Sequence, residues 1–330
     1  MIHLLPSILS ILIIAQFVLG NFANGFIALV SCIDWVKKHK LSCADRILTA
    51  LAVSRISLLW VIVFNWYGTV LHPASYSSEV RAIVYIAWVA SNHFCLWLAT
   101  SLSILYLLKI ANFSCLLFLH LKWRAERVVI MILWGTLVFL VFHFAVVGID
   151  EKMKMNVYKG NITWESKLRD IAHLSNGIIF VLVHLIPFTV SLTAVLLLIF
   201  SMWKHLKKMQ VSGKGFQDPS TEVHLRAMQT VISFLLIFVI YFFAQIISFW
   251  NFTMQNNSVP LLCQVLGILY PSSHSFILIW GNKKLRQAFL SLLRQLRCWL
   301  KKGNKRGTLC LLQENKLMKF AMFCTSYYIS

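Results

Sequence analysis

Arg55 is the single Asp, Glu, Lys or Arg inside seven long apolar stretches of this chain. A guanidinium stays charged and presents five donors in a fixed planar fork, so its chemistry is to gather acceptors. A lone arginine deep in hydrocarbon costs from about 3 to over 10 kcal/mol, so Arg55 must face the interior of a bundle and find partners there. No carboxylate is available within the stretches. Asn24, backbone carbonyls freed near Pro187 or Pro271, and ordered water remain as acceptors. A structural lock between helices and a switch whose bonds differ between two states both need those bonds.

Other chemistry-bearing side chains lie on the same stretches. His143, His184 and His274 show no metal-ligand spacing, and a place in the core or in interhelical hydrogen bonds is the better reading for each. There is no Ser/His/Asp constellation, no intramembrane carboxylate pair, no phosphate-binding glycine loop and no HExxH, so neither an enzyme nor a cofactor or metal is expected. Trp66 lies eleven residues, three helical turns, beyond Arg55 on the same face. Trp88, Asn92, Cys95 and Ala99 follow i, i+4, i+7 spacing, with Tyr241 and Gln264 at comparable depth on later stretches. Aromatic walls with a few polar groups describe a small-molecule cavity. The same aromatics also serve as packing and interfacial anchors in any membrane helix.

The elements that position these residues are the stretches themselves. They run from Ile8 to Val30, Ile47 to Val70, Ala82 to Leu108, Val128 to Val147, Ile178 to Phe200, Met228 to Trp250 and Val259 to Trp280. As helix, each covers the roughly 30 Å hydrocarbon core of a bilayer. Backbone amides there are satisfied only in helices or in a barrel whose strands would be about half as long. The expected fold is an all-α membrane protein with a seven-transmembrane helix bundle. Of 31 Lys and Arg residues, 24 fall on one side and six on the other, which places the N-terminus outside and the C-terminus in the cytoplasm. Ten residues at 1.5 Å per residue from Asp45 set Arg55 about 15 Å deep, near the midplane.

A composition of 59% hydrophobic and 13% charged residues agrees with this reading. The net charge of +20 is a membrane address: basic residues spread over four juxtamembrane segments form no single face for nucleic acid. The first stretch lacks a basic leader and a small-residue cleavage site, so it reads as an uncleaved signal anchor. The long outer loop from Ile149 to Ala172 holds no cysteine and contains Asn161-Ile-Thr163, the expected glycosylation site. After Trp280, Leu285, Phe289, Leu292, Leu293, Leu296 and Leu300 share one helical face, and Lys283, Arg294, Arg297 and Lys301 the other. That is the pattern of a short amphipathic helix lying in the inner interface. Residues 1–300 thus read as one transmembrane unit and 301–330 as a cytoplasmic tail without an assignable role.

Six strings carry a resemblance: LSCADRILTALAVSRISLLW (Leu41 to Trp60), SLSILYLLKIANFS (Ser101 to Ser114), FLHLKWR (Phe118 to Arg124), PFTVSLTAVLLLIFSMWKHLKKMQ (Pro187 to Gln210), DPSTEVHLRAMQTVISFLL (Asp218 to Leu236) and PSSHSFILIWGNKKLRQAFL (Pro271 to Leu290). In this order they closely resemble the bitter taste receptors, the type 2 taste receptor family of G-protein-coupled receptors. The chain has no DRY box, NPxxY or CWxP and does not look like a rhodopsin-class receptor. The resemblance implies a plasma-membrane receptor for bitter small molecules, acting through a gustducin-type heterotrimeric G protein, phospholipase C and calcium release. It leaves oligomerisation open. By position it implies ligand contacts at Trp66, Trp88, Asn92, Tyr241 and Gln264, and roles in folding and activation for Asn24, Arg55, Lys109, His274 and Ser275. Two departures stand out: Gln264 where some relatives have a Glu, and an extension to Ser330. A vomeronasal-type pheromone receptor would share the architecture but not these inner-loop strings. A transporter would be expected to show repeated halves.

Overall fold

A computed structural model of the chain describes residues 4–38, 41–157, 162–211, 219–251 and 258–303. The described elements are helical: α1 (Leu4–Lys38), α2 (Cys43–Trp66), α3 (Ser78–Ile110), α4 (Leu116–Trp123), α5 (Ala125–Val157), α6 (Ile162–Val211), α7 (Pro219–Asn251), α8 (Ser258–Gly281) and α9 (Lys283–Gly303). A π turn (Tyr67–Leu71) and a 3-10 turn (Pro73–Ser75) join α2 to α3. Asn161 and the tail from residue 304 lie outside the described residues.

Helix starts follow local chemistry. Ser42 caps α2 by accepting from Asp45 N at 3.1 Å while its hydroxyl donates to the Asp45 carboxylate at 2.9 Å. Ser77 does the same for α3 through Val80 N. Asn282 breaks α8 from α9 by accepting from the amides of Lys284 and Leu285 with its side-chain oxygen.

Among the described residues six helical segments are long and apolar enough to cross a membrane: Leu5–Lys37, Cys43–Leu71, Ser78–Ile110, Ala125–Ile149, Gly177–Lys204 and Val259–Gly281. On α7 the described apolar part, Ile232–Ser248, is shorter than the Met228 to Trp250 stretch expected from sequence, because side chains beyond it lie outside the described residues. Large apolar side chains face outward, with Ile83 67%, Trp134 69% and Val138 71% exposed. Such a surface aggregates in water and is at ease in lipid.

By contacts the chain divides into Met1–Leu285 and Arg286–Ser330. Within the first unit α3 is the central helix, packing on α2, α5 and α6, and its residues from Cys95 to Ser103 are all buried. Small side chains in that run let neighbours approach closely. Thr100 donates to the Pro187 carbonyl of α6 at 3.2 Å, and Ser191 reaches Ser103 at 3.3 Å. On the other side α1 packs on α2 and α8 across Gly20, where a Cβ would lie 2.8 Å from Leu59 and 3.0 Å from the Ser272 Cβ. In the second unit the residues of α9 from Leu293 to Trp299 include exposed Leu293, Leu296 and Trp299.

Candidate functional site

Arg55 is fully buried, as a cation in hydrocarbon must be. One terminal nitrogen donates to Ser275 Oγ at 3.1 Å and the other to His274 Nδ1. Because the guanidinium is always a donor, His274 Nδ1 must present its lone pair, which puts the ring proton on Nε2. The Arg55 fork therefore clasps two consecutive residues of α8 with two neutral acceptors. Asn24 is one bond removed: its amide donates to the carbonyls of Gly20 at 2.8 Å and Pro271 at 3.0 Å, and its oxygen accepts from Ser275 Oγ at 2.7 Å. The expected direct partners thus give way to side chains of α8. The Pro271 carbonyl instead accepts from Asn24, with the Ser275 hydroxyl 3.1 Å away. Asn24, Arg55, His274 and Ser275 form one network across α1, α2 and α8.

Lys109 does not join them. It lies exposed at the end of α3, 3.9 Å from Glu126, which also meets Arg46 at 3.9 Å. Exposed pairs of this kind contribute about 0 to 1 kcal/mol. Here we call that end of the molecule the basic end. A stronger tie holds Lys284, in the first turn of α9, to Asp34 of α1 and to Asp45 of α2 at 3.4 Å. Partial burial works against its charge, but the Asp34 hydrogen bond and the charges of Asp45 and Asp34 prevail and raise the ammonium's pKa. Its contribution is complete at neutral pH and is lost only as pH rises through that raised value.

A second cluster gathers further along the bundle, away from the basic end. Tyr241 on α7 donates to the Asn92 side-chain oxygen, and Asn92 donates to His184 Nε2 at 2.9 Å. His184 in turn donates from Nδ1 to the Phe180 carbonyl one turn back at 2.7 Å. Every link runs donor to acceptor, so three helices are tied by a satisfied relay. Trp88 covers it, its ring 6.1 Å from those of Tyr85, Phe180 and His184 at angles of 22° or less. Spacing alone brings Trp88 and Asn92 together on α3. From sequence His184 belonged either in the core or in an interhelical hydrogen bond, and here it makes the bond, to Asn92.

Trp66 and Gln264 have different surroundings. The Trp66 indole is buried on the seam with α1 and donates to Ser10 at 3.2 Å. Gln264 keeps a buried side-chain oxygen with no hydrogen-bond partner among the described residues. Sequence reasoning passed over Tyr270. Its ring lies 4.8 Å from Tyr241 and 5.6 Å from His274, and the Arg55 guanidinium carbon sits 5.3 Å from its centroid. Phe238 and Phe234 flank Tyr270 and His274. Tyr270 therefore joins the two clusters. The available signal was its position: four residues before His274 puts it on the same face of α8. His93 was also missed. It is buried on α3, as is His143 on α5, and neither has a hydrogen-bond partner for its ring nitrogens among the described residues.

A helical bundle with an apolar exterior, a buried arginine and a half-polar aromatic cluster is the build of a membrane receptor or carrier. The comparisons with known proteins resolve that choice. The family described as Taste receptor protein (TAS2R) matches residues 1–297. Taste receptor type 2 member 46 of Homo sapiens is 57% identical over 302 residues, covering 91% of this chain and 98% of that receptor. Member 31 of Pongo pygmaeus is 56% identical over the same coverage, and member 20 of Homo sapiens 55% over 92% and 99%. The chain belongs to the type 2 taste receptor family, whose members are bitter taste receptors coupled to G proteins.

Proposed function

We propose that this protein is a seven-span receptor of the plasma membrane, with its N-terminus outside and its basic end in the cytoplasm. Bitter small molecules bind among α3, α6, α7 and α8, and the receptor activates a gustducin-type G protein, with phospholipase C and calcium release downstream. The observation that carries this reading is the continuous chain of contacts from Asn92 and Tyr241 through Tyr270 to Arg55, His274, Ser275 and Asn24. A ligand that takes a hydrogen bond from Asn92 or displaces the Tyr241 hydroxyl moves the Tyr241 ring. That ring packs on Tyr270, which packs on the Arg55 clasp. Two arrangements of the clasp give the bistable element that signalling requires.

In this reading Trp88, Asn92 and Tyr241 contact ligand directly, Gln264 offers its unpaired oxygen from α8, and Trp66 shapes the wall by fixing α2 on α1. Asn24, Arg55, His274 and Ser275 form the switch, and Lys109 acts at the G-protein face. Asn161 carries the glycan. The test is calcium imaging of cells expressing the receptor with and without a gustducin-type α subunit, against a panel of bitter compounds. The expected result is a response to a subset of the panel that requires the α subunit. A response independent of any G protein would overturn the proposal.

A further inference from the structure

At the basic end the connection between α3 and α5 borders an open cleft of about 740 Å³. Four cations line it, Lys109, Lys122, Arg124 and Arg127, against a single carboxylate, Glu126. Two of the cations are already engaged. Lys122 donates to the Ala111 carbonyl at 2.8 Å and to the Asn112 side chain at 2.7 Å, which fixes the ammonium and leaves it one donor. Lys109 shares Glu126 with Arg46. Arg124 and Arg127 are exposed, and no acid among the described residues pairs with either. The cleft thus has a fixed basic floor and two guanidinium forks without counterions. A fork of this shape matches a phosphate bidentately.

Its rim supplies the second half of the argument. Helix α4 is anchored from beneath, where Phe113 and Phe118 pack on Leu107, Ala194, Leu198 and Met202. Its other face is uncovered and largely apolar, with His120 exposed among the leucines: Leu116 is 84% exposed, Leu117 67% and Trp123 87%. In the orientation proposed above, this uncovered leucine and tryptophan surface next to the ends of α3 and α5 would lie where hydrocarbon meets headgroups. An occupant must therefore bring several negative charges and an apolar body together.

We infer that this cleft binds an inositol phospholipid bearing several phosphates, from the leaflet on the basic side. Arg124 and Arg127 hold the phosphates, Lys109 and Lys122 supply supporting charge, and Trp123 with the α4 leucines lies among the acyl chains. Basic pockets between membrane helices on the cytoplasmic side suit such headgroups. The choice of leaflet rests on the orientation proposed above.

The experiment uses the purified full-length receptor in phosphatidylcholine nanodiscs, where both faces are accessible. Fluorescent short-chain phosphatidylinositol 4,5-bisphosphate, short-chain phosphatidylserine and soluble inositol 1,4,5-trisphosphate are titrated separately. The bisphosphate lipid should bind saturably, at least tenfold more tightly than either of the others. Arg124→Gln with Arg127→Gln should weaken it by about 30-fold, and each single change by about fivefold, at the general worth of a basic residue beside anionic lipid. The single changes carry the test if the double variant folds poorly. Trp123→Ser should weaken the lipid and leave the soluble headgroup unaffected. Arg294→Gln with Arg297→Gln on α9 should change binding less than threefold.

Equal binding by native receptor and the Arg124/Arg127 variant, or an equal loss in the α9 variant, overturns the inference. Equal affinity for the soluble trisphosphate would reassign the cleft to a free phosphate ligand and also overturn it. So would unchanged lipid binding combined with reduced G-protein nucleotide exchange in phosphatidylcholine alone, which would make the cleft a protein-docking surface. An N-terminal tag that antibodies cannot reach on intact cells would refute the leaflet and the orientation while the nanodisc titration still reports on the cleft.

Discussion

Replacing Arg55 with Ala tests the clasp most directly. The change removes two hydrogen bonds from a charged donor, about 1.5 to 3 kcal/mol each, and a desolvated cation-π contact of about 2 kcal/mol. It also relieves the charge of its place in hydrocarbon, about 2.5 to 3.5 kcal/mol on insertion scales. The balance is a destabilisation of about 2 to 5 kcal/mol, so fewer receptors should reach the surface. Function must therefore be normalised to surface population, read by antibody labelling of an N-terminal tag alongside calcium imaging. The receptors that do arrive should no longer answer agonist, or should signal without it, because Ser275 and His274 have lost the group that holds them in one arrangement. Arg55→Lys separates charge from geometry. An ammonium keeps the burial cost but is a single point, unable to reach both acceptors with a planar fork, so it should fail as well. Normal potency and efficacy per surface receptor in Arg55→Ala would refute the reasoning, and normal signalling in Arg55→Lys would show that only the charge matters.

Tyr270→Phe should signal normally, since the hydroxyl has no hydrogen-bond partner among the described residues, whereas Tyr270→Leu should raise the agonist concentration for half response at least tenfold by removing the ring stack. Gln264→Glu should extend the response toward protonated amines with neutral agonists little improved; a panel on which native and variant receptors respond alike would count against the pocket. Gly20→Val should lower surface expression severalfold, because its side chain would overlap Leu59 and Ser272 where α1 meets α2 and α8. Asn161→Gln should run smaller on a gel and reach the surface poorly, and an unchanged mass would count against the glycan or the topology.

The apolar runs were legible because each carries its own signal in the sequence, but α4 was not foreseen, and the segment expected as an outer loop from Ile149 to Ala172 is instead largely helix, α5 continuing to Val157 and α6 starting at Ile162. The cluster was legible within one helix and blurred between helices. Trp88 and Asn92 share a face by spacing, and Tyr241 lies at matching depth, so their meeting follows. Rotation of one helix against another is set by packing and has no local code. That is why Trp66 faces the α1 seam, and why Tyr270 and His93 went unremarked among apolar neighbours. Lys109 was grouped with Arg55 only through the family pattern. It lies seventeen residues beyond Asn92 on the same helix, about 25 Å along its axis, and so at the far end.

The relay of Tyr241, Asn92, His184 and Phe180 would limit how strongly an agonist bound at the proposed site can be held. Because the Tyr241 hydroxyl, one Asn92 N–H and the His184 Nδ1–H already have acceptors, an incoming polar group at those atoms exchanges one bond for another and gains little net free energy from it. Most of the affinity must then come from apolar area laid against Trp88 and its neighbours, a contribution that is blind to functional groups. If agonists bind there as proposed, the receptor would trade tenacity for breadth, with chemically unrelated molecules of suitable bulk binding at similar modest strength and leaving quickly. A warning sense needs that combination, since it must register many compounds and clear each before the next arrives.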